Sequence, residues 1–154
     1  MSRDFTVKAS ALGLVLLLTA CAKINDAGMR LVASTAPAFA MIDNTLLTGT
    51  VTVFVDRTGT FNLSSGAVTG FQCAGNMRYT ATRSGVISLQ CSNGADVLMT
   101  FNAMGELGGY AAGKSATGTA TLTFGMEAAS AAPYLKLPAG KRIVTTAEGA
   151  ARLE

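Results

Sequence analysis

Three cysteines, Cys21, Cys73 and Cys91, are the side chains of this 154-residue chain best suited to covalent chemistry. A thiol can accept a lipid, pair in a disulfide, bind a metal or act as a nucleophile. The chain has no histidine, so no imidazole can complete a zinc site or serve as the base of a Ser-His-Asp or Cys-His arrangement. We therefore expect no metal site, no cofactor and no enzymatic activity.

The carboxylates offer no obvious catalytic pair. Glycosidase chemistry requires two carboxyl groups that face each other across the substrate. Asp56 could meet Asp96 or Glu106 in the folded chain, but nothing in their spacing favours such a pair. Acids in turns are usually solvated, and we expect this of Asp43, Asp56, Asp96, Glu106 and Glu127.

One segment matches a catalytic motif in its letters. Residues 108–115 read GGYAAGKS and fit the phosphate-binding pattern G-x-x-x-x-G-K-[ST]. That motif needs a helix directly after it, whereas residues 116–123 alternate as a strand does. We therefore interpret residues 104–118 as a Gly-rich hairpin loop with a solvated Lys114, and we predict that no nucleotide binds there.

The first 20 residues have the composition of an export signal. Arg3 and Lys8 precede a ten-residue apolar run, Ala9–Leu18, which has the length of a signal-peptide core and is too short to span a bilayer. The run leads into Leu18-Thr19-Ala20-Cys21, which resembles the lipobox of bacterial lipoproteins. An ordinary signal peptide cut near Ala20 is the alternative interpretation.

The lipobox resemblance implies a membrane anchor. In such proteins the residues before the cysteine are removed and the cysteine carries acyl chains, which here would leave Cys21 as the lipidated N-terminus. Two or three chains attach a protein firmly, since a single chain binds only marginally. Ala22, where an Asp would favour retention at the inner membrane, implies the outer membrane by resemblance to enterobacterial lipoproteins.

Export would also decide how the remaining cysteines behave. In an oxidising compartment Cys73 and Cys91 form an even pair with one connectivity, so we predict a disulfide between them. A loop of this size would stabilise the fold by about 3 kcal/mol in the chain-entropy model. Buried free thiols, a redox pair or half of a metal site are the other interpretations, and the spacing is not the C-x-x-C that redox sites use.

The composition excludes several classes of partner. Hydrophobic residues make up 49% of the chain and charged residues 14%, with a net charge of +3. A chain of this kind is not charged enough to be disordered, and its charge balance gives no reason to expect a nucleic acid or an acidic membrane surface as the partner.

The elements that would position these residues are predicted to be strands. Residues 50–55, TVTVFV, alternate with a period of two, and similar alternation returns about every ten residues with turn signals between. This pattern predicts an all-β fold: an antiparallel meander of about eight strands closing as a small barrel or sandwich, with one disulfide. Weaker strands are predicted near Leu107–Ala111, Tyr134–Lys136 and Arg142–Thr146.

The same pattern sets the predicted organisation of the chain. Residues 1–20 form the signal peptide, residues 21–44 a lipidated tether, residues 45–146 the β-domain and residues 147–154 a disordered tail. Residues 67–91 are predicted to form three neighbouring strands, with Cys73 on the first and Cys91 on the third. Two strand spacings of about 4.8 Å would place the two Cα atoms about 9.6 Å apart, which exceeds the roughly 7 Å that a disulfide can bridge. A flat meander is therefore not expected.

The segment Phe71–Phe124 looks like a group of uncharacterised proteobacterial β-rich lipoproteins. The likeness rests on the turns Cys73-Ala74-Gly75 and Cys91-Ser92-Asn93-Gly94 and on the later Gly-rich loop. It implies a setting in the cell envelope and no particular activity.

Two classes of function fit these expectations. The first is a non-catalytic envelope lipoprotein that binds or supports an envelope protein or glycan through loops or an exposed edge strand. The second is a module similar to the membrane-bound lysozyme inhibitors, which are short lipoproteins with a small β-barrel and a disulfide. That likeness would give Lys114 and Ser115, on the Gly-rich loop 104–118, the role of entering a lysozyme cleft.

Overall fold

The computed structural model describes residues 33–154. The predicted signal peptide and the lipidation of Cys21 lie outside these residues. Among the residues described, no helix is long and apolar enough to cross a bilayer.

Eight antiparallel strands form a closed barrel, which confirms the predicted fold class and decides between barrel and sandwich. Each strand pairs with the next along the chain, and β8 returns to pair with β1. The strands are β1 (Ser34–Ile42), β2 (Thr45–Val53), β3 (Thr58–Ser64), β4 (Gln72–Tyr79), β5 (Ser84–Cys91), β6 (Asp96–Ala103), β7 (Gly109–Lys114) and β8 (Thr119–Phe124).

Alternate residues of every strand point inward, as the period-two pattern requires. The buried side chains form one core that runs through the barrel. Three phenylalanines, Phe61, Phe101 and Phe124, pack edge to face in its interior, with Phe124 at ring-centroid distances of 6.1 Å from Phe61 and 5.9 Å from Phe101. Side chains therefore fill the barrel, as in other small eight-stranded barrels.

A C-terminal segment packs on the outer face of the barrel. It consists of a short helix α1 (Ala128–Ala131), a 3-10 turn (Ala132–Tyr134) and a hairpin of β9 (Ile143–Thr145) and β10 (Ala151–Leu153). Apolar residues of this segment cover Met41 and Leu46, which point outward from β1 and β2 and are nevertheless buried.

The structure moves the boundaries of the predicted domain. Residues 34–42, predicted to belong to the tether, form β1 and complete the barrel. Residues 151–153, predicted to be a disordered tail, form β10 and pair with β9. The strand predicted near Arg142–Thr146 is β9, whereas the one predicted at Tyr134–Lys136 is wrong, because Tyr134 ends the 3-10 turn and no strand follows until Ile143.

The predicted disulfide between Cys73 and Cys91 is present, but the strand arrangement predicted around it is wrong. Cys73-Ala74-Gly75, predicted to be a turn, lies within β4, so Cys73 is on the same strand as Met77. The two cysteines are directly opposed on adjacent strands β4 and β5, with a Cα–Cα distance of 4.0 Å. One strand spacing separates them instead of two, so the simple meander keeps the Cα atoms within the roughly 7 Å that a disulfide can bridge.

The barrel has two ends, which we call the proximal and the distal rim. The proximal rim contains Ser34, where the chain enters β1, and residues 54–57, 80–83, 104–108 and 125–127. The distal rim contains residues 43–44, 65–71, 92–95 and 115–118. The disulfide lies next to the distal rim, because Cys73 follows the start of β4 and Cys91 ends β5.

Candidate functional site

The Gly-rich segment 104–118 is not a continuous loop. Residues 109–114 form β7 and pair with both β6 and β8. Residues 119–124, where a phosphate-binding motif would need a helix, form β8. Lys114 ends β7 at the distal rim with an exposed side chain, opposite Thr119.

Ser115, predicted to lie on a binding loop, uses its hydroxyl for hydrogen bonds within the protein. Its hydroxyl donates to the carboxylate of Asp43 over 2.5 Å and accepts from the backbone N–H groups of Thr117 and Gly118. Thr117 donates to the other oxygen of Asp43 over 2.6 Å. These bonds tie the β1–β2 turn to the β7–β8 turn, so Ser115 serves the distal rim as a structural residue.

We call the hydrogen bonds of Asp43 with Ser115 and Thr117 the Asp43 latch. The latch depends on an unusual backbone at the β1–β2 turn. Asp43 and Asn44 both have positive φ, 48° and 67°, as the central residues of a type I′ hairpin turn do. Gly118 leaves room for the latch, because a Cβ at that position would lie 2.6 Å from the Asp43 carboxylate.

The barrel separates the acids that were considered as a pair. Asp56 lies on the proximal rim, whereas Asp96 begins β6 next to the distal rim, so these two cannot act together. Glu106 is on the proximal rim as Asp56 is, but its β6–β7 turn lies half a circuit of the barrel away from the β2–β3 turn that carries Asp56. The Asp56 carboxylate accepts hydrogen bonds from the hydroxyl and the backbone N–H of Thr58, over 2.6 Å and 3.0 Å, and these bonds lower the pKa of Asp56.

Arg57 fastens two turns of the proximal rim, a role that the sequence did not suggest. Its guanidinium lies 4.5 Å from the centroid of the Tyr79 ring and donates to the carbonyl oxygens of Ala81 and Thr82 over 3.0 Å and 2.6 Å. Arg57 adopts a positive φ of 65°. The only signal in the sequence is the Asp56-Arg57-Thr58-Gly59 turn itself.

A groove beside the distal rim is the best candidate for a binding surface. Its volume is about 610 Å³. Three elements enclose it: the start of β2 with the turn before it, the β3–β4 loop, and the β9–β10 hairpin. The lining residues are Asn44, Thr45, Leu46, Gly66, Ala67, Val68, Thr146, Ala150, Ala151, Arg152 and Leu153.

The groove combines apolar walls with a charged border. Leu46 is buried at its base and Val68 stands exposed on the β3–β4 loop. Arg152 forms an ion pair with Glu154 at the end of the hairpin. A concave lining that is mostly apolar with a few polar groups is typical of binding sites.

Closure of the barrel restricts binding through an exposed edge strand, which was the other route predicted for a partner. Every barrel strand has a neighbour on both sides, so the barrel has no free edge to which a partner strand could add. Among the described residues, free strand edges are found on the two-stranded β9–β10 hairpin, and these edges remain as binding surfaces together with the loops and the outer surface of the barrel. No family model, curated protein or solved structure matches this chain.

Proposed function

We propose that this protein is a non-catalytic lipoprotein of the cell envelope, anchored through Cys21 in the outer membrane, that binds an envelope protein in the groove beside the distal rim. The groove is the single observation that carries the binding role. It is open, has apolar walls, and lies next to the rim opposite the point where the chain enters the barrel.

The filled interior supports binding on the outside. Large residues such as Phe61, Phe101 and Met99 occupy the barrel axis and are almost wholly buried. A ligand inside the barrel would have to displace them, at a cost of several kcal/mol of packing.

The disulfide supports an exported protein. Bridges of this kind form and persist in oxidising compartments, and they are rare in the cytosol. Cys73 and Cys91 are both buried, so the bridge is protected from reductants once it has formed.

Lipidation is tested on the protein purified from its membranes. Mass spectrometry should find an N-terminal peptide that begins at Cys21 and carries diacylglyceryl and acyl groups. Palmitate labelling should disappear in Cys21→Ser. An intact N-terminus at Met1, or labelling that persists in Cys21→Ser, would contradict the anchor.

The groove is tested by photo-crosslinking in the intact envelope. A photoreactive amino acid at Val68, in the groove, should capture one protein reproducibly, and Ala150→Asp, at an exposed position across the groove, should abolish the capture. The matched control carries the same amino acid at Leu98, which is also exposed and apolar but lies outside the groove. Equal capture from both positions, or capture of glycan alone from Val68, would contradict a protein partner.

The lysozyme-inhibitor hypothesis is the alternative, and it now depends on Lys114. The Ser115 hydroxyl already bonds Asp43 and two backbone N–H groups, so entering a lysozyme cleft would break those bonds. An inhibition assay at micromolar excess of the protein decides the matter, and Lys114→Ala should remove any inhibition that is seen.

A further inference from the structure

The two rims of the barrel differ in the side chains that they expose. On the proximal rim, large apolar residues stand at two turns: Val55 is 56% exposed and Met104 is 49% exposed, with Leu107 also exposed beside Met104. On the distal rim, Val68 is the single large apolar residue that is exposed, and the other turns carry polar side chains. Among these are Asp43, Asn44, Ser92, Asn93 and Thr117.

The apolar turns of the proximal rim lie on opposite sides of the barrel. Val55 belongs to the β2–β3 turn and Met104 to the β6–β7 turn. In a ring of eight strands these two turns are half a circuit apart. A flat surface placed across the rim would touch both at once, whereas a compact partner bound at one turn would leave the other in water.

The proposed anchor at Cys21 would bring a flat surface within reach of this rim. It enters β1 at Ser34, and residues 22–33 separate that point from Cys21. The thirteen Cα–Cα steps from Cys21 to Ser34 span at most about 45 Å when fully extended. A bilayer that holds Cys21 therefore stays within that distance of the proximal rim, and the linkage keeps its effective concentration there high.

The charged residues of the proximal rim would not by themselves attract it to a bilayer. The proximal rim carries Arg57 and Arg83 together with Asp56, Glu106 and Glu127, so the two signs nearly balance. The Arg57 guanidinium is already bonded to Ala81 and Thr82. Any attraction to a bilayer would come from apolar side chains entering the interfacial region, and salt would affect it little.

We propose that the proximal rim rests on the bilayer surface, with Val55, Met104 and Leu107 inserted among the lipid headgroups, so that the barrel stands upright with its distal groove turned away from the membrane. This inference rests on the proposed lipid anchor at Cys21. It adds a second, weaker contact that fixes the orientation of the barrel.

The test uses the lipidated protein in vesicles of phosphatidylethanolamine and phosphatidylglycerol that contain a headgroup spin-labelled lipid. An environment-sensitive fluorophore is attached through Leu107→Cys on the proximal rim or, as the control, through Leu98→Cys on the barrel wall. We expect a blue shift and quenching by the spin label at position 107 and neither at position 98. Both effects should persist at high salt.

Paired substitutions examine whether the apolar turns cause the contact. In the Leu107→Cys background, Val55→Asp with Met104→Asp should remove the blue shift and the quenching. Val68→Asp, an equally exposed apolar residue of the distal rim, should leave both unchanged. All three side chains are exposed at turns or loops, so these variants should fold, which circular dichroism can verify.

The outcomes separate this inference from the proposed anchor. A protein that does not sediment with the vesicles lacks the anchor, and the proposed function fails. A protein that sediments but shows the same emission at positions 98 and 107 overturns the upright orientation alone. A blue shift that grows with the protein-to-lipid ratio would assign the patch to a second copy of the chain and would also overturn it.

Discussion

Two threonines on the outer face of β8 show how differently the same side chain can contribute. Thr121 accepts a hydrogen bond from the backbone N–H of Lys136 over 2.9 Å. Thr123, two residues on, is completely buried, and its hydroxyl has no hydrogen-bond partner. A buried polar group without a partner costs about 1–3 kcal/mol, whereas a typical hydrogen bond contributes roughly 1 kcal/mol.

Replacing each threonine by valine should therefore change the free energy of unfolding in opposite directions. Thr123→Val removes the unpaired hydroxyl and keeps the branched shape, so we expect stabilisation by up to about 1 kcal/mol. Thr121→Val should destabilise by about 0.5–1.5 kcal/mol. Urea unfolding measures both changes. Destabilisation by Thr123→Val would mean that its hydroxyl is satisfied after all.

The low pKa of Asp56 makes stability depend on pH. Hydrogen bonds from the side chain and then the backbone of Thr58 lower this pKa in the folded protein. The ionised carboxylate therefore stabilises the fold above about pH 4, the ordinary value for an aspartate, and this contribution is lost as the pH falls through the folded-state pKa.

Thr58→Val should raise the pKa of Asp56 back toward its ordinary value, because the larger of the two hydrogen-bond contributions is removed. An NMR titration of the Asp56 carboxyl group measures the change. Thr60→Val, on the same strand and the same outward face, serves as the control and should leave that pKa as it was. An unchanged pKa in Thr58→Val would contradict the assigned cause.

At the scale of the element, Gly75 explains both a success and a failure of sequence reasoning. From the sequence we predicted the disulfide between Cys73 and Cys91, but we interpreted Gly75 as part of a turn. In the structure Gly75 is an inward position of β4 at which the backbone of β5 comes very close. A Cβ there would lie 1.9 Å from the carbonyl oxygen of Ser88. Glycine in a strand can mark such a close approach, and no local pattern distinguishes this from a turn.

Gly75→Ala should destabilise the protein by about 1–3 kcal/mol or more, since backbone atoms of β5 would have to move. Gly66→Ala is the matched control. Gly66 lies in the β3–β4 loop with open space around it and no positive φ, so its substitution should be close to neutral. Thermal unfolding compares the two, and equal melting temperatures would contradict the close approach.

The missed strand β1 has a different explanation. The inward residues of β1 are Ala36, Ala38, Ala40 and Ile42, and Ile42 is the strong β-former among them. The outward residues Phe39 and Met41 are covered by the C-terminal segment. Both faces are therefore apolar, and the alternation that revealed the other strands is absent. Pro37 adds a turn-like signal, although it lies just outside the part of β1 that pairs with β8.

The candidate site could not be derived from the sequence for a related reason. The groove brings together the β1–β2 turn, the β3–β4 loop and the terminal hairpin. Val68 and Leu153 are 85 positions apart and carry no shared motif. Only barrel closure and the packing of the C-terminal segment place them together, and these are tertiary effects.

At the scale of the whole molecule, the barrel depends on the seam between β1 and β8. Five residues of each strand pair there, between Ala38–Ile42 and Ala120–Phe124. These strands are far apart in sequence, so closing the seam costs more chain entropy than any hairpin does. The Asp43 latch to Ser115 and Thr117 stands directly beside this seam.

Breaking the latch should weaken the seam in particular. Asp43→Ala removes two hydrogen bonds to a charged group and places alanine at a positive φ, so we expect a loss of about 2–4 kcal/mol in the free energy of unfolding. Asp43→Asn tolerates that φ and keeps one acceptor oxygen, and it should cost less. Hydrogen exchange should accelerate in β8 before β5. Uniform acceleration would contradict a local role.

The position of Ser34 has a mechanical consequence. A chain held at its N-terminus and drawn away from the proximal rim pulls β1 along its own axis. The backbone hydrogen bonds of β1 to β2 and β8 run across that axis, so the force would shear them all together instead of unzipping them one by one. If the proposed anchor holds the N-terminus, this geometry would make the barrel resist tension better than one held by a strand end that can peel away.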